Sequence, residues 1–187
     1  MGNRPVVLTV GKSHLCALRS LRLHLRFWNF IYVNFVPFVV NKSEENMSVD
    51  PITVEIIRCA LKAAANEMSA VLKKTAYNMM IYEVQDYCVA VLDHEGRTMS
   101  QNEGALPIFL ADLGVAVQDG IEVYGKDNIH PGDVFLVNHP EICGQHLNNM
   151  AVYTPFFWQG ELKCFLAVRA HWIDIGGGST GFGSSNT

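Results

Sequence analysis

The sequence predicts an α+β fold in which an N-terminal amphipathic helix packs on β-hairpins of a mixed or antiparallel sheet. Three observations carry this. Asp50-Pro51 opens a long stretch with helical apolar spacing. Two pairs of strand-like runs, Tyr87–Gln101 and Met150–Val168, each close on a short glycine-containing turn. Between them lies a second stretch with one apolar helical face.

The first helix begins with Asp50 as N-cap and Pro51 at the first helical position. Ile52, Ile56, Ala60, Ala64, Met68, Val71 and Leu72 recur at the spacing of one buried face, so the helix is expected to run to about Tyr77 as scaffold. Tyr87 to Leu92 reads as a strand, Asp93-His94-Glu95-Gly96 as a turn and Arg97 to Gln101 as the return strand. Asp86, at the far end of this hairpin, is expected to lie across from Glu103; taken alone it reads as a surface carboxylate. Leu110 to Tyr124 is a second helix with Leu113, Val117, Ile121 and Tyr124 on one face and Gly125 as its C-cap. His130-Pro131-Gly132-Asp133 is a turn. Val134 to Val137 is a short buried strand that delivers Asn138-His139-Pro140 to a loop leading to His146.

Met150–Phe157 and Leu162–Val168 form the last hairpin, in which Gly160 supplies the positive φ of a tight turn. A Gln159-Gly160 loop puts His171 opposite Asn148, beside Asn149 and within reach of His146. Hairpin geometry therefore gathers two imidazoles, an amide and Asp174 at one end of two strands. Such groups suit a first-row divalent metal, and they equally suit simple hydrogen bonding near a loop. Gly176-Gly177-Gly178, followed by Ser179 and Thr180, permits close backbone approach to a substrate or phosphate, although a flexible glycine run explains it as well.

Composition narrows the function. The 187 residues suffice for one domain or for part of a larger one. At 49% apolar and 17% charged the chain is not a disordered segment. Residues 1–43 hold six basic residues and no acidic one, which leaves eight basic against eighteen acidic residues in the other 144. That acidic balance argues against nucleic-acid binding. Five dispersed cysteines without a Cys-x-x-Cys pair fit reduced thiols and a cytoplasmic location; Cys143, next to the site, reads as a buried bystander. Residues 1–46 differ from the rest. A basic segment precedes Phe27–Val40, an apolar run broken by Asn29, Asn34 and Pro37 that is too short and polar to span a bilayer. No small-residue cleavage site follows. They are expected to be an extension outside the fold, with the domain occupying residues 47–187.

From residue 47 onward the chain resembles the N-terminal part of the hydantoinase B/oxoprolinase family, which includes the large subunits of acetone-type carboxylases. The matching pieces are Asp50-Pro51-Ile52-Thr53-Val54-Glu55-Ile56-Ile57-Arg58, Pro131-Gly132-Asp133-Val134-Phe135, Gly144-Gln145-His146 with residue 149, and Arg169-Ala170-His171 with Asp174-Ile175-Gly176-Gly177. The resemblance implies an ATP-dependent amidohydrolase subunit opening hydantoins, 5-oxoproline or lactams, paired in a hetero-oligomer with a hydantoinase A-type subunit through which ATP and Mg act. It implies a divalent metal (Zn, Mn or Fe) held by an early acidic residue, a His-x-x-Asp pair and a later His, which fall on Asp86, His146, Asn149 and His171. His171 and Asp174 become the catalytic candidates. It also implies that the chain is a truncated fragment of a larger subunit, inactive alone. Three positions depart from the pattern: Asn149 for Asp, His139 in an Asn-Asp-Pro-like position, and Phe109 where many relatives carry His. These departures keep two alternatives in play, a ketone carboxylase subunit and a non-catalytic scaffold.

Overall fold

In the computed structural model, residues 50–143 and 146–176 are described. The proposed 1–46 extension, Gly144, Gln145, Gly177 and Gly178 lie outside them. The chain order is helix α1 (Pro51–Thr75), a short helix α2 (Met79–Tyr82), strands β1 (Tyr87–Asp93) and β2 (Thr98–Gln101), helix α3 (Pro107–Tyr124), strand β3 (Phe135–Val137), a single helical turn α4 (Pro140–Cys143), and strands β4 (Asn149–Trp158) and β5 (Glu161–His171). The α+β expectation holds, and every strand pair is antiparallel in the order β2-β1-β5-β4-β3.

The sheet separates two helical layers. One face carries Cys88, Ala90, Leu92, Ala151, Tyr153, Phe165 and Ala167, and is covered by Phe109, Leu113, Ala116 and Val117 of α3. The other carries Tyr87, Val89, Val91, Leu166 and Ala170 against Leu61, Ala65, Met68 and Leu72 of α1. Alternation of side chains along each strand assigns residues to these faces. Even-numbered β1 residues, odd-numbered β4 residues and, from Phe165 onward, odd-numbered β5 residues look toward α3.

Asp50 caps α1 by accepting from the Thr53 backbone N–H, as its position before Pro51 requires. The buried face is displaced from the expected one. Ile52 and Ile56 are exposed, and burial begins further along, at Leu61, Ala65 and Met68. The first turns of α1 have no sheet beneath them, so apolar spacing there does not mark a packed face. Helix α3 starts three residues earlier than Leu110, because Pro107 supplies the preset φ of a first helical position. Its end at Gly125, with φ 77°, is as expected.

The expected pairing of Asp86 with Glu103 does not form. Strand β2 ends at Gln101, and the Asn102 side chain closes the hairpin by accepting from the Val89 N–H at 2.8 Å. Glu103 turns to α1, where it pairs with Lys62 at 2.6 Å. The β4–β5 turn uses Gln159 (φ 51°) and Gly160 (φ 84°), the two positive φ values of a tight hairpin. Phe157 faces Leu162 but Phe156 faces Cys164, so Lys163 is an extra residue on β5. That bulge advances the register by one. His171 stands opposite Asn149, not Asn148.

Candidate functional site

Asp86, His171 and Asn149 form a row across three adjacent strands at one end of the sheet. His171 faces Asn149 in the ladder, and its N–H donates to the Asp86 carbonyl at 3.0 Å. All three continue the face that looks toward α3, because Asp86 follows the alternation of Cys88 and Ala90. His146 enters from the turn before β4, where the Asn149 N–H donates to its carbonyl at 3.1 Å. Its ring meets His171 edge-to-face with centroids 4.9 Å apart, and its Nε2 lies 3.4 Å from the Asn149 Nδ2. The four expected ligands are thus brought to one sheet end. Asn149 and His171 are buried there (1% and 6% exposed), whereas His146 stands at the exposed rim.

Electrostatics favour neutral imidazole. Burial lowers the His171 pKa below its ordinary value and the neighbouring His146 lowers it further, against an opposing pull from the Asp86 carboxylate. Neutral imidazole is the form that binds a metal or accepts a proton.

The donor types suit a first-row divalent ion: two imidazoles meet at the Asn149 amide, and the Asp86 carboxylate acts on His171. Closure is incomplete in one respect. Among the described residues, no group of three or more His, Cys, Asp or Glu side chains stands close enough to hold a metal ion. Asp86, His146 and His171 therefore do not close such a group by themselves, and at β4 Asn149 adds an amide where a carboxylate was expected. His139 does not fill the gap. It is half-buried and lies toward Asp119 of α3, and its Nδ1 has no hydrogen-bond partner among the described residues. Asp174 is exposed and its carboxylate accepts from the Gly176 N–H at 2.8 Å, forming a local turn at the site's edge. Gly176 adopts φ 90°, so the start of the glycine run requires glycine.

Several residues that build the site were not legible in the sequence. Gln85 holds φ 62° directly before Asp86, a conformation rare outside glycine. Asn78 donates to the His171 carbonyl at 2.7 Å from 93 residues away. Arg169, fully buried, forms an ion pair with Asp112 of α3, and its guanidinium lies over the Phe109 ring at 5.1 Å. Phe109, where relatives were expected to carry His, is therefore a packing surface for Arg169. Only the Arg169-Ala170-His171 motif hinted at this residue, and no periodicity could have paired it with α3.

Fold and site together define a class: an antiparallel sheet between helical layers, with imidazole, amide and carboxylate groups set at its strand ends. The chain belongs to the hydantoinase B/oxoprolinase family, which its residues 50–187 match. It is similar to the beta subunit of the caprolactamase of Pseudomonas jessenii, 35% identical over 130 residues, covering 70% of this chain and 22% of that protein. The fold matches the crystal structure of that ATP-dependent enzyme with a TM-score of 0.62 at 34% identity, over 71% of this chain and 22% of that one. The 5-oxoprolinase of Saccharomyces cerevisiae is 32% identical over 139 residues, 74% of this chain and 11% of that protein. A nucleotide-free acetone carboxylase shares the fold, with a TM-score of 0.62 at 23% identity over 67% of this chain and 16% of its own. The chain spans between 10% and 25% of the length of the curated relatives it matches. Among the described residues no helix is long and apolar enough to cross a membrane.

Proposed function

We propose that this chain is part of an ATP-dependent amidohydrolase subunit that opens cyclic amides such as hydantoins, 5-oxoproline or lactams, acting in a hetero-oligomer with a hydantoinase A-type partner that brings ATP and Mg. The observation that carries this reading is the row Asp86–His171–Asn149 with His146 at its rim, in a chain whose relatives include a caprolactamase and 5-oxoprolinases.

Asp86, His146, Asn149 and His171 would hold a divalent zinc, manganese or iron ion. The chemistry such an ion supplies is polarisation of a carbonyl oxygen and a bound water acidic enough to ionise near neutral pH. The chain's own contributions are separable from it. The His171 imidazole, kept neutral by burial, presents a lone pair at physiological pH. The backbone of His171 is held by the Asp86 carbonyl, so the two side chains start from main-chain positions of fixed spacing. The α3 face excludes water beneath the site, because Arg169 and Phe109 fill the space one residue pair further in. Asp174, at the exposed edge, is the acid/base candidate, with Gly176–Gly178 as a weaker candidate for contact with substrate.

The test is ATP-dependent ring opening by the intact chain with its partner subunit, assayed on hydantoin, 5-oxoproline and caprolactam. Turnover that is lost with a chelator and in His171→Ala supports the reading. Turnover that is indifferent to both refutes it. ATP hydrolysis dependent on bicarbonate and a ketone, with no ring opening, would instead assign a carboxylase. Asn149 favours the third possibility, a scaffold: metal binding gained in Asn149→Asp without any activity would establish it.

A further inference from the structure

We infer that Asn78 is a positioning residue that sets the spacing between Asp86 and His171, an inference that rests on the metal-site reading of those two residues. His171 is the last residue of β5, so the ladder stops there and the peptide groups at its end need further partners. Four hydrogen bonds secure this end. The His171 N–H donates to the Asp86 carbonyl at 3.0 Å, and the Trp172 N–H donates to the Asn148 carbonyl at 2.8 Å. The Trp172 carbonyl accepts from the Asn148 Nδ2 at 2.8 Å, and the His171 carbonyl accepts from the Asn78 Nδ2 at 2.7 Å.

Asn78 differs from the other partners because it stands on a segment that belongs to the helical layer. Its Oδ1 accepts from the Met80 N–H at 2.9 Å and so caps α2. The Met80 carbonyl in turn accepts from the Asp86 N–H at 2.7 Å. The result is a closed ring of hydrogen bonds: Asn78 to Met80, Met80 to Asp86, Asp86 to His171, and His171 back to Asn78. Both candidate ligand residues are members of it. Gln85, inside the ring, keeps its φ of 62° because Asp86 is held on both its N–H and its carbonyl. One amide side chain thus closes a bridge between α2 and the end of β5 that passes through both residues. Such partners of a ligand typically control metal affinity without touching the metal.

The two ends of the Asn78 amide can be separated. Asn78→Asp keeps an acceptor for the Met80 N–H but puts an oxygen anion against the His171 carbonyl; Asn78→Ala removes both bonds and adds no charge. The experiment titrates the intact chain with cobalt(II) alone, following its visible spectrum, alongside amide hydrogen exchange. Both variants are expected to weaken cobalt binding by about 10- to 100-fold. Exchange at His171 and Trp172 should accelerate about tenfold or more, while protection within α1 stays as in the natural chain. Unchanged cobalt affinity in both variants overturns the inference. So does a loss of α1 protection that accompanies the weaker binding, because it would mean general loosening. His171→Ala is the control for the reading beneath. If that variant binds cobalt as tightly as the natural chain, the metal site has failed and exchange alone decides: unchanged protection of Trp172 in Asn78→Asp overturns the positioning role, and selective loss of it sustains it.

Discussion

Asn149 and His171 stand directly opposite each other across β4 and β5 only because Lys163 is an extra residue in β5. Without it the partner of His171 would be Asn148, and Asn149 would look to the other face of the sheet. The bulge therefore selects which asparagine joins the site, and it gives Asn149→Asp a two-sided outcome. A carboxylate at this nearly solvent-free position is left without a compensating cation when no metal is present. The metal-free variant is expected to lose about 1–3 kcal/mol of stability. With saturating zinc or manganese it should exceed the natural chain in both affinity and melting temperature. Thermal unfolding after chelation and again with metal checks both signs.

The ion pair of Arg169 with Asp112 is the next thing that holds the site to its scaffold. Arg169 is fully buried on β5, opposite Ala151 and Cys88, two small residues that leave room for it. Removing the carboxylate alone, as in Asp112→Ala, takes the acidic partner from a buried guanidinium and is expected to cost about 3–5 kcal/mol. Replacing both partners by apolar residues, Arg169→Met with Asp112→Leu, should cost markedly less than the sum of the single variants. Chemical denaturation of the four-member mutant cycle measures the difference.

These two cases show what the sequence could and could not disclose. Local signals were legible. Asp50 and Pro51 fixed the start of α1, Gly125 the end of α3, and Gly160 the hairpin turn. The convergence of His146, Asn149 and His171 was legible too, since a tight turn dictates which residues meet. The expected register differs by one because the bulge at Lys163 leaves no local signature in the sequence. The face of α1 was misjudged at Ile52 and Ile56 because periodicity reports an apolar stripe without reporting what lies beneath it. Asn78, Gln85 and Arg169 act through contacts distant in sequence, which neither period nor spacing encodes.

Helix α3 approaches β4 as closely as it does because residue 120 is glycine. A Cβ there would lie 1.8 Å from the Tyr153 hydroxyl oxygen and 3.0 Å from its Cζ. Tyr153 cannot easily swing aside, since its ring is stacked on Phe135 at 4.8 Å. Alanine would ordinarily favour a helix by about 1 kcal/mol over glycine. Here Gly120→Ala is expected to destabilise by about 1–3 kcal/mol, as overpacking of a core does. Adding Tyr153→Phe removes the worst contact and should restore part of the loss, measurable as a positive coupling in thermal unfolding.

Thiol reactivity should divide by burial. Burial pushes the thiols of Cys88 and Cys164 up to about 12, whereas Cys59 is exposed on α1. The thiolate is the reactive form. At pH 8 in the native protein, iodoacetamide is expected to label Cys59 readily and to leave Cys88 and Cys164 unmodified; all three react after denaturation. Peptide mass spectrometry of native and unfolded samples provides the comparison.

His171 gives the fold an acid limb whose sign follows from its surroundings. In the folded chain burial, and then His146, hold its pKa below the ordinary value of about 6.5 to which it returns on unfolding. The unfolded chain therefore binds more protons than the folded one across the interval between those two values. Stability from this group is complete above about pH 6.5, falls as pH drops toward the folded value, and is flat below it. The slope contributed by one such group cannot exceed about 1.4 kcal/mol per pH unit. His171→Gln deletes the titration while keeping a polar side chain opposite Asn149. Denaturant unfolding of both metal-free proteins between pH 5 and pH 8 should show the natural chain losing stability faster on acidification, with the two curves running parallel above about pH 7. Parallel curves throughout would mean that His171 is not held neutral by its burial, and the lone pair assigned to it at the site would lose its physical basis.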